Sequence, residues 1–350
     1  MYKTFDSWDT LAAISDLDNG SVGRAVVADA CVLRATAEMR TKIGKRDVVY
    51  SLERWLRMDV AEHKHEGHVF FKKKVEPASL SLGQFREGSF NLFGFYGRAR
   101  GTKAWITIAT RLRFLRELTS NIPATRETEA IVLELLLRAG GSEGSKPLPL
   151  ADVDRYLHEV ERLALWMALT KPSAAQRSKK VFAFLENIAE EKNSNFEAIS
   201  HEDKSSLREA LVVSEFGSTP SGKKFVIALL KRLNAFVQAQ HGNEAVINDS
   251  TVNYLESVLP EKGSKKAWGK EWPNQDERDK WSNRLGNFVL LSNKATAVEA
   301  RMPFIEKKKR FSKETFPLTL GLAEMDQWNS DNLVKHLAST VGLIDRIWGL

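Results

Sequence analysis

The sequence predicts a mainly α protein: a helical bundle followed by a smaller C-terminal region that carries short strands. Three observations predict it. Apolar residues recur at three- and four-residue spacing through most of the first 245 positions. Near residue 250 that texture gives way to two short apolar runs, "TVNYLESVLP" and "NFVLLS", which have the length and composition of strands. The last forty residues return to a helical pattern that ends "LVKHLASTVGLIDRIWGL".

Taken in order, "VGRAVVADACVLRATAEMRTKIG" and "DVVYSLERWLRMDV" predict helices within residues 1–60. The stretch from "HKHEGHVFFKKK" to "GRARGTKAW" is rich in Gly, Phe and positive charge, and predicts an irregular basic loop over 62–104. From 105 to 140 the pattern is helical again, and "TRETEAIVLELLLRAGG" opens on Thr with early Glu and closes on paired Gly. "GGSEGSKPLP" reads as a surface loop that divides a first region, 1–145, from a helical linker bundle, 146–248. In that bundle "LADVDRYLHEVERLALWMALT", "RSKKVFAFLENIAEE", "EDKSSLREALVVS" and "GKKFVIALLKRLNAFVQAQHG" each predict a helix. Residues 249–350 form the third region, where aromatic residues (Trp268, Trp272, Trp281, Phe304, Phe311) interleave with basic ones.

The chain has 350 residues, room for two or three domains of roughly 100–200 residues each. Its 43% apolar content suffices for a real core. Lys and Arg exceed Asp and Glu by seven (52 − 45), which suits a nucleic-acid partner without requiring one. The lone cysteine, Cys31, excludes an intrachain disulfide framework and reads as a small buried side chain in an apolar run. No apolar run approaches the roughly 18–20 residues of a membrane span. "MYKTFDSWDT" also lacks the profile of a secretory signal, so the expected location is the cytoplasm, with no membrane partner.

Chemistry concentrates in the C-terminal region. In "YLESVLP" the acid Glu256 stands beside Ser257, and "RLGNFVLLSNKATAVEARMPFIEKKKRF" follows with a Gly-Asn turn at Asn287. These motifs resemble the C-terminal HNH-type nuclease domain of GmrSD-like restriction endonucleases and of SspE-like phage-defence nucleases. That family runs acid-His-x-Leu-Pro, Gly-Asn-Leu-x-Leu-Leu, a downstream Asn, Pro-Phe-x-x-Lys, then a helix ending in Trp, to which "GLIDRIW" is similar. The likeness covers roughly residues 150–350 and is strongest over 250–311. It implies a ββα-metal (HNH-like) domain. There a divalent ion, Mg or Mn, neutralises charge at the scissile phosphate, a His activates water, and an amide side chain orients that base.

Carried over residue by residue, the resemblance makes Glu256 a metal ligand and Asn287 the orienting amide. Ser257 stands where the catalytic His belongs, and a serine hydroxyl is no base near neutral pH without a base of its own. The next family Asn falls near Thr296, with Asn293 three positions earlier as a substitute ligand. Arg301 stands where a further Asn is common. Two readings stay open: a natural pseudo-nuclease that has lost hydrolysis, or a substituted copy of an active parent.

Cations around these motifs form the expected phosphate-contact set: Arg284, Lys294, Arg301, Lys307, Lys308, Lys309 and Arg310, with Lys313 in the same run. A solvated helix face is the plainer reading of such a run. Lys265, Lys266 and Lys270 flank Trp268 and Trp272, which suit core packing more readily than base stacking. His63, His65 and His68 lack metal-site spacing and read as part of a basic loop. "GFYGRARG" lacks the ending of a phosphate loop, and His241 reads as a helix-end cation. Full-length relatives carry an N-terminal nucleotide-hydrolysing domain whose motif is missing here. An NTPase or sensor domain, or a separate subunit of that kind, is therefore an expected partner beside DNA. The expected function is a DNA-binding HNH-type endonuclease or nickase effector of a restriction or antiviral defence system, with activity impaired or absent. The competing expectation is an inert helical adaptor for other defence proteins.

Overall fold

A computed structural model describes residues 102–140, 147–190, 196–241, 253–261 and 265–350. The expectations for residues 1–101, including Cys31, the His63, His65 and His68 loop and the Gly94–Gly101 run, lie outside the described residues. What is described is mainly helical with one two-stranded sheet, and it falls in two units that divide between Ser200 and His201. No helix among the described residues is long and apolar enough to cross a membrane.

The first unit contains α1 (Lys103–Asn121), a 3-10 turn (Pro123–Thr128), α2 (Glu129–Gly140), α3 (Leu150–Thr170) and α4 (Ala174–Glu190). α3 covers the predicted amphipathic stretch residue for residue. Pro149 precedes its first turn, and Lys171 ends it in the left-handed region (φ 49°) just before Pro172. Its buried positions Val153, Tyr156, Leu157, Val160, Leu163, Ala164 and Met167 make one stripe, and α3 packs on α1 and α2. Each Val, Leu and Met of that stripe contributes about 1.5–3 kcal/mol by leaving water. Arg111 of α1 bridges Asp154 (2.7 Å) and Glu161 (2.6 Å), two acids seven residues apart and so on the same face of α3.

The second unit opens with α5 (His201–Val213), α6 (Pro220–Gln240), β1 (Tyr254–Ser257), α7 (Lys265–Trp268) and α8 (Gln275–Ser282). A 3-10 turn (Leu285–Asn287) leads into β2 (Phe288–Leu291), and a second (Glu299–Arg301) into α9 (Phe304–Phe311). α10 (Pro317–Leu322) and α11 (Ser330–Trp348) close the chain. β1 and β2 pair antiparallel from Tyr254↔Leu291 to Ser257↔Phe288. α6 lays its buried stripe, which includes Phe225, Val226, Leu229 and Leu233, over both strands. For that reason α6, which composition groups with the preceding helices, lies in the unit that holds the sheet, as does α5, which packs on α11.

Thr319 donates its hydroxyl to the Leu290 carbonyl (2.7 Å) and Glu314 accepts from the Ser292 amide (2.9 Å), so groups at and just beyond β2 that β1 does not serve still find partners. Trp268, Trp272, Phe304, Phe311 and Trp328 pack with Val289 and Leu291 into the core of this unit, and Trp281 packs against it half-buried. Trp268 and Trp272 are therefore core residues.

Candidate functional site

Strand alternation turns Glu256 into the unit and leaves Ser257 half-buried beside it. Across the sheet, Glu256 faces Val289 and Ser257 faces Phe288. The helix that closes over this end is α9, whose buried residues Phe304, Lys307 and Phe311 recur at three- and four-residue spacing. Lys307 is only 4% exposed. Its Nζ donates to Glu256 Oε1 at 2.7 Å and to the Ser257 carbonyl at 2.6 Å. Burial pulls the Lys307 ammonium below the usual lysine range; Glu256 opposes this by charge and hydrogen bond, and Arg310 adds to it.

Asn287 is fully buried and makes every hydrogen bond an amide side chain can make. Its Oδ1 accepts from the Leu259 amide (2.7 Å) and from Trp328 Nε1 (3.3 Å). Its Nδ2 donates to the carbonyls of Leu259 and Ser282, both at 2.8 Å. All of that capacity goes into backbone and core. Asn287 thus fixes the path of the chain just past Ser257 rather than holding a side chain in the site.

The turn before it is pinned from α11. A Cβ at Gly286 would lie 2.7 Å from Leu337 Cβ, which explains a glycine there by close approach. His336 Nδ1 lies 2.8 Å from the Gly286 carbonyl, which can only accept, so Nδ1 carries the proton. Burial holds this imidazole below its usual value, partly offset by that hydrogen bond.

The metal expectation meets a different arrangement. Glu256 is committed to an ammonium. Asn293 is exposed and donates to Ser292 Oγ at 3.4 Å. Thr296 caps the turn Glu299–Arg301: its amide donates to Glu299 Oε2 (2.7 Å) and its hydroxyl accepts from the Glu299 amide (3.2 Å). The Thr296 amide holds the Glu299 carboxyl below its ordinary value. Among the described residues no group of three or more His, Cys, Asp or Glu side chains is placed to hold a metal ion. The residues implied as ligands do not fit a divalent ion in this arrangement.

The expected phosphate-contact set divides. Lys307 faces inward and its ammonium is spent, which corrects the expectation of a phosphate contact there. Lys294, Arg301, Lys309 and Lys313 are exposed, and Arg284, Lys308 and Arg310 are half-buried. Lys309 pairs with Glu306 (2.9 Å), Lys308 with Asp326 (3.7 Å) and Arg310 with Glu299 (3.3 Å); Arg310 also donates to the Asn293 carbonyl at 2.5 Å. Arg284 donates to the Lys280 carbonyl at 3.2 Å. Outside the core, His241 lies at the C-cap of α6 and is exposed.

Residues 176–339, from within α4 to within α11, match the family of GmrSD restriction endonucleases, C-terminal domain. The chain carries a GmrSD-type C-terminal domain. Its role is accordingly related to restriction and defence nucleases. None of the curated proteins compared with it matches. The match takes in both strands, Asn287 and α9, so the local geometry above lies inside the GmrSD-type domain.

The sequence does not by itself place three of the side chains that serve this locus. Lys307 lies in a run of cations, and only the three- and four-residue spacing to Phe304 and Phe311 marks it as inward. Trp328 and His336 reach Asn287 and Gly286 from more than 40 positions away, a relation no local pattern carries.

Proposed function

We propose that this chain is a DNA-binding, HNH-like effector of a restriction or anti-phage system in which hydrolysis is impaired or absent. The observation that carries the reading is Ser257, which follows the acid of the GmrSD-type domain at the end of β1, where the resemblance expects a His. Loss of a general base alone removes about 10²–10⁴ in rate. Two strands followed by α9 agree with a ββα arrangement in outline. The exposed cations Lys294, Arg301, Lys309 and Lys313 supply the charge for duplex DNA, together with the net charge of +7. Because the implied ligands do not fit a divalent ion, no metal-assisted step is assigned. The setting is cytoplasmic, and the natural partner beside DNA is an NTPase or sensor, carried on a further domain or a separate subunit.

Duplex binding measured across a salt series tests the reading. A steep linear fall of log affinity with log salt is expected. No binding at low salt would replace this reading with the inert adaptor, whose basic face docks an acidic protein. The Ser257→His chain is expected to nick plasmid at background level with Mg or Mn. Nicking about 100-fold above the parent chain would locate the whole loss in one side chain.

A further inference from the structure

Glu256 needs a cation. It is a buried carboxylate, 8% exposed, on a strand whose neighbours are apolar core residues. An isolated charge in such a place is costly unless it is paired and hydrogen-bonded. In a metal-dependent nuclease the family resemblance gives that task to a divalent ion. Here α9 carries an ammonium to the same carboxylate at 2.7 Å. A second donor of the same ammonium goes to the Ser257 carbonyl at 2.6 Å. The lysine thereby spans the acid and the backbone of the residue that stands in the position of the base.

The rest of the surroundings points the same way. The helix cannot withdraw Lys307 without lifting Phe304 and Phe311, which are 0% and 1% exposed, out of the core. A divalent ion on the Glu256 carboxylate, at the usual oxygen distance of about 2.0–2.6 Å, would lie close to an ammonium already 2.7 Å from Oε1, and the repulsion between the two cations weighs against it. Asn293 and Thr296, the other implied ligands, are exposed and make local contacts of their own.

We propose that the ammonium of Lys307 is the resident cation of Glu256, held in place of a divalent metal ion, and that Lys307 is a positioning residue that fixes the backbone at Ser257. This deepens the reading of the locus as a nuclease-derived site and rests on it. It assigns the Pro-Phe-x-x-Lys lysine to the interior of that site and not to DNA.

Lysine side-chain nitrogen NMR on the full chain tests it. A buried ammonium with two short hydrogen bonds exchanges slowly and gives its own N–H correlation near neutral pH, where surface lysines do not. One such resonance is expected. It should vanish in Lys307→Arg and shift or vanish in Glu256→Gln, and either variant alone suffices to assign it if the other fails to fold. It should also be unchanged by Mg ion up to about a 100-fold excess. A saturable loss of the resonance on adding Mg, abolished in Glu256→Gln, would overturn the proposal, and so would the absence of any slowly exchanging lysine signal. Duplex affinity measured on the same samples separates the two readings. If Mg titrates the resonance while DNA still binds, only the present proposal falls.

Discussion

α9 presents two kinds of lysine one turn or less apart. Lys307 lies inside, between Phe304 and Phe311, and spends its charge on Glu256 and the Ser257 backbone. Lys309 lies outside, 69% exposed at its side chain, and pairs with Glu306 on its own helix. An exposed pair of that kind is worth about 0–1 kcal/mol and yields readily to a phosphate. A run of cations in a sequence is therefore not one surface. The same residue type holds the interior of the domain at one position and is open to a partner two positions on. Substitutions on the inner side should move stability and leave the salt dependence of DNA binding alone, while those on the outer side should do the reverse.

The largest inner effect is expected at Asn287. Asn287→Ala strands the amide and carbonyl of Leu259, the carbonyl of Ser282 and the indole N–H of Trp328, all inside the core. Each unsatisfied group costs about 1–3 kcal/mol, and partial rearrangement should bring the total to about 4–5 kcal/mol in urea unfolding. A loss below about 1 kcal/mol would show that the amide is dispensable for the fold and reopen a role for it in the site.

Next is Lys307→Met, which leaves the Glu256 carboxylate buried and unpaired and should cost about 3–4 kcal/mol. Adding Glu256→Gln should recover more than half of that, since the stranded charge is then gone. If the two losses simply add, the side chains do not interact as the 2.7 Å distance requires.

Much of this architecture could be read from the sequence, and the reason is local. The helix over Leu150–Thr170 is written in its own apolar spacing and its Pro stops, and the strands at Tyr254–Ser257 and Phe288–Leu291 in short apolar runs. The family could be read from motifs that span 250–311, and Trp268 and Trp272 from their bulk. The occupant of the Glu256 side chain could not. It depends on the rotation of α9, which decides which lysine of Lys307, Lys308 and Lys309 points inward, and that is set by where Phe304 and Phe311 find core. The grouping of α6 with the sheet was hidden likewise, because an apolar helix stripe does not say what it packs against.

A smaller inner effect is expected at the Gly-Asn turn. In Gly286→Ala the new methyl meets Leu337 Cβ at 2.7 Å and its Cα at 3.0 Å, and α11 must shift; about 1–3 kcal/mol is expected, measured by urea unfolding. His336 sharpens the same contact through pH. Its folded-state value lies below the ordinary one of about 6.5. Between those two values the unfolded chain holds the extra proton, so stability falls as pH drops through about 6.5, levels off below the folded value and gains nothing above about 7.5. His336→Gln should make the stability curve between pH 5 and 7.5 shallower by up to one proton. An unchanged slope would mean that the imidazole titrates alike in both states.

The smallest change in stability belongs to the outer side. Lys294, Arg301 and Lys309 are all exposed, and among the described residues Lys309 alone of the three has a side-chain ion pair, with Glu306. Each change to Ala should shift stability by no more than about 0.5 kcal/mol, since none removes a buried partner. Their effect should appear instead in the slope of log affinity against log salt, which loses about 0.9 for each phosphate contact removed. The triple variant should therefore lose up to about 2.7 in slope while unfolding at nearly the same urea concentration. Lys307→Met, measured where it remains folded, should keep the full slope, because its ammonium faces Glu256 and releases no counterion from DNA. If Lys307→Met and Lys309→Ala lowered the slope equally, α9 would have to rotate when the duplex binds. The interior lysine would then be exchanging Glu256 for phosphate, a coupling that would join the two faces of the helix into one device.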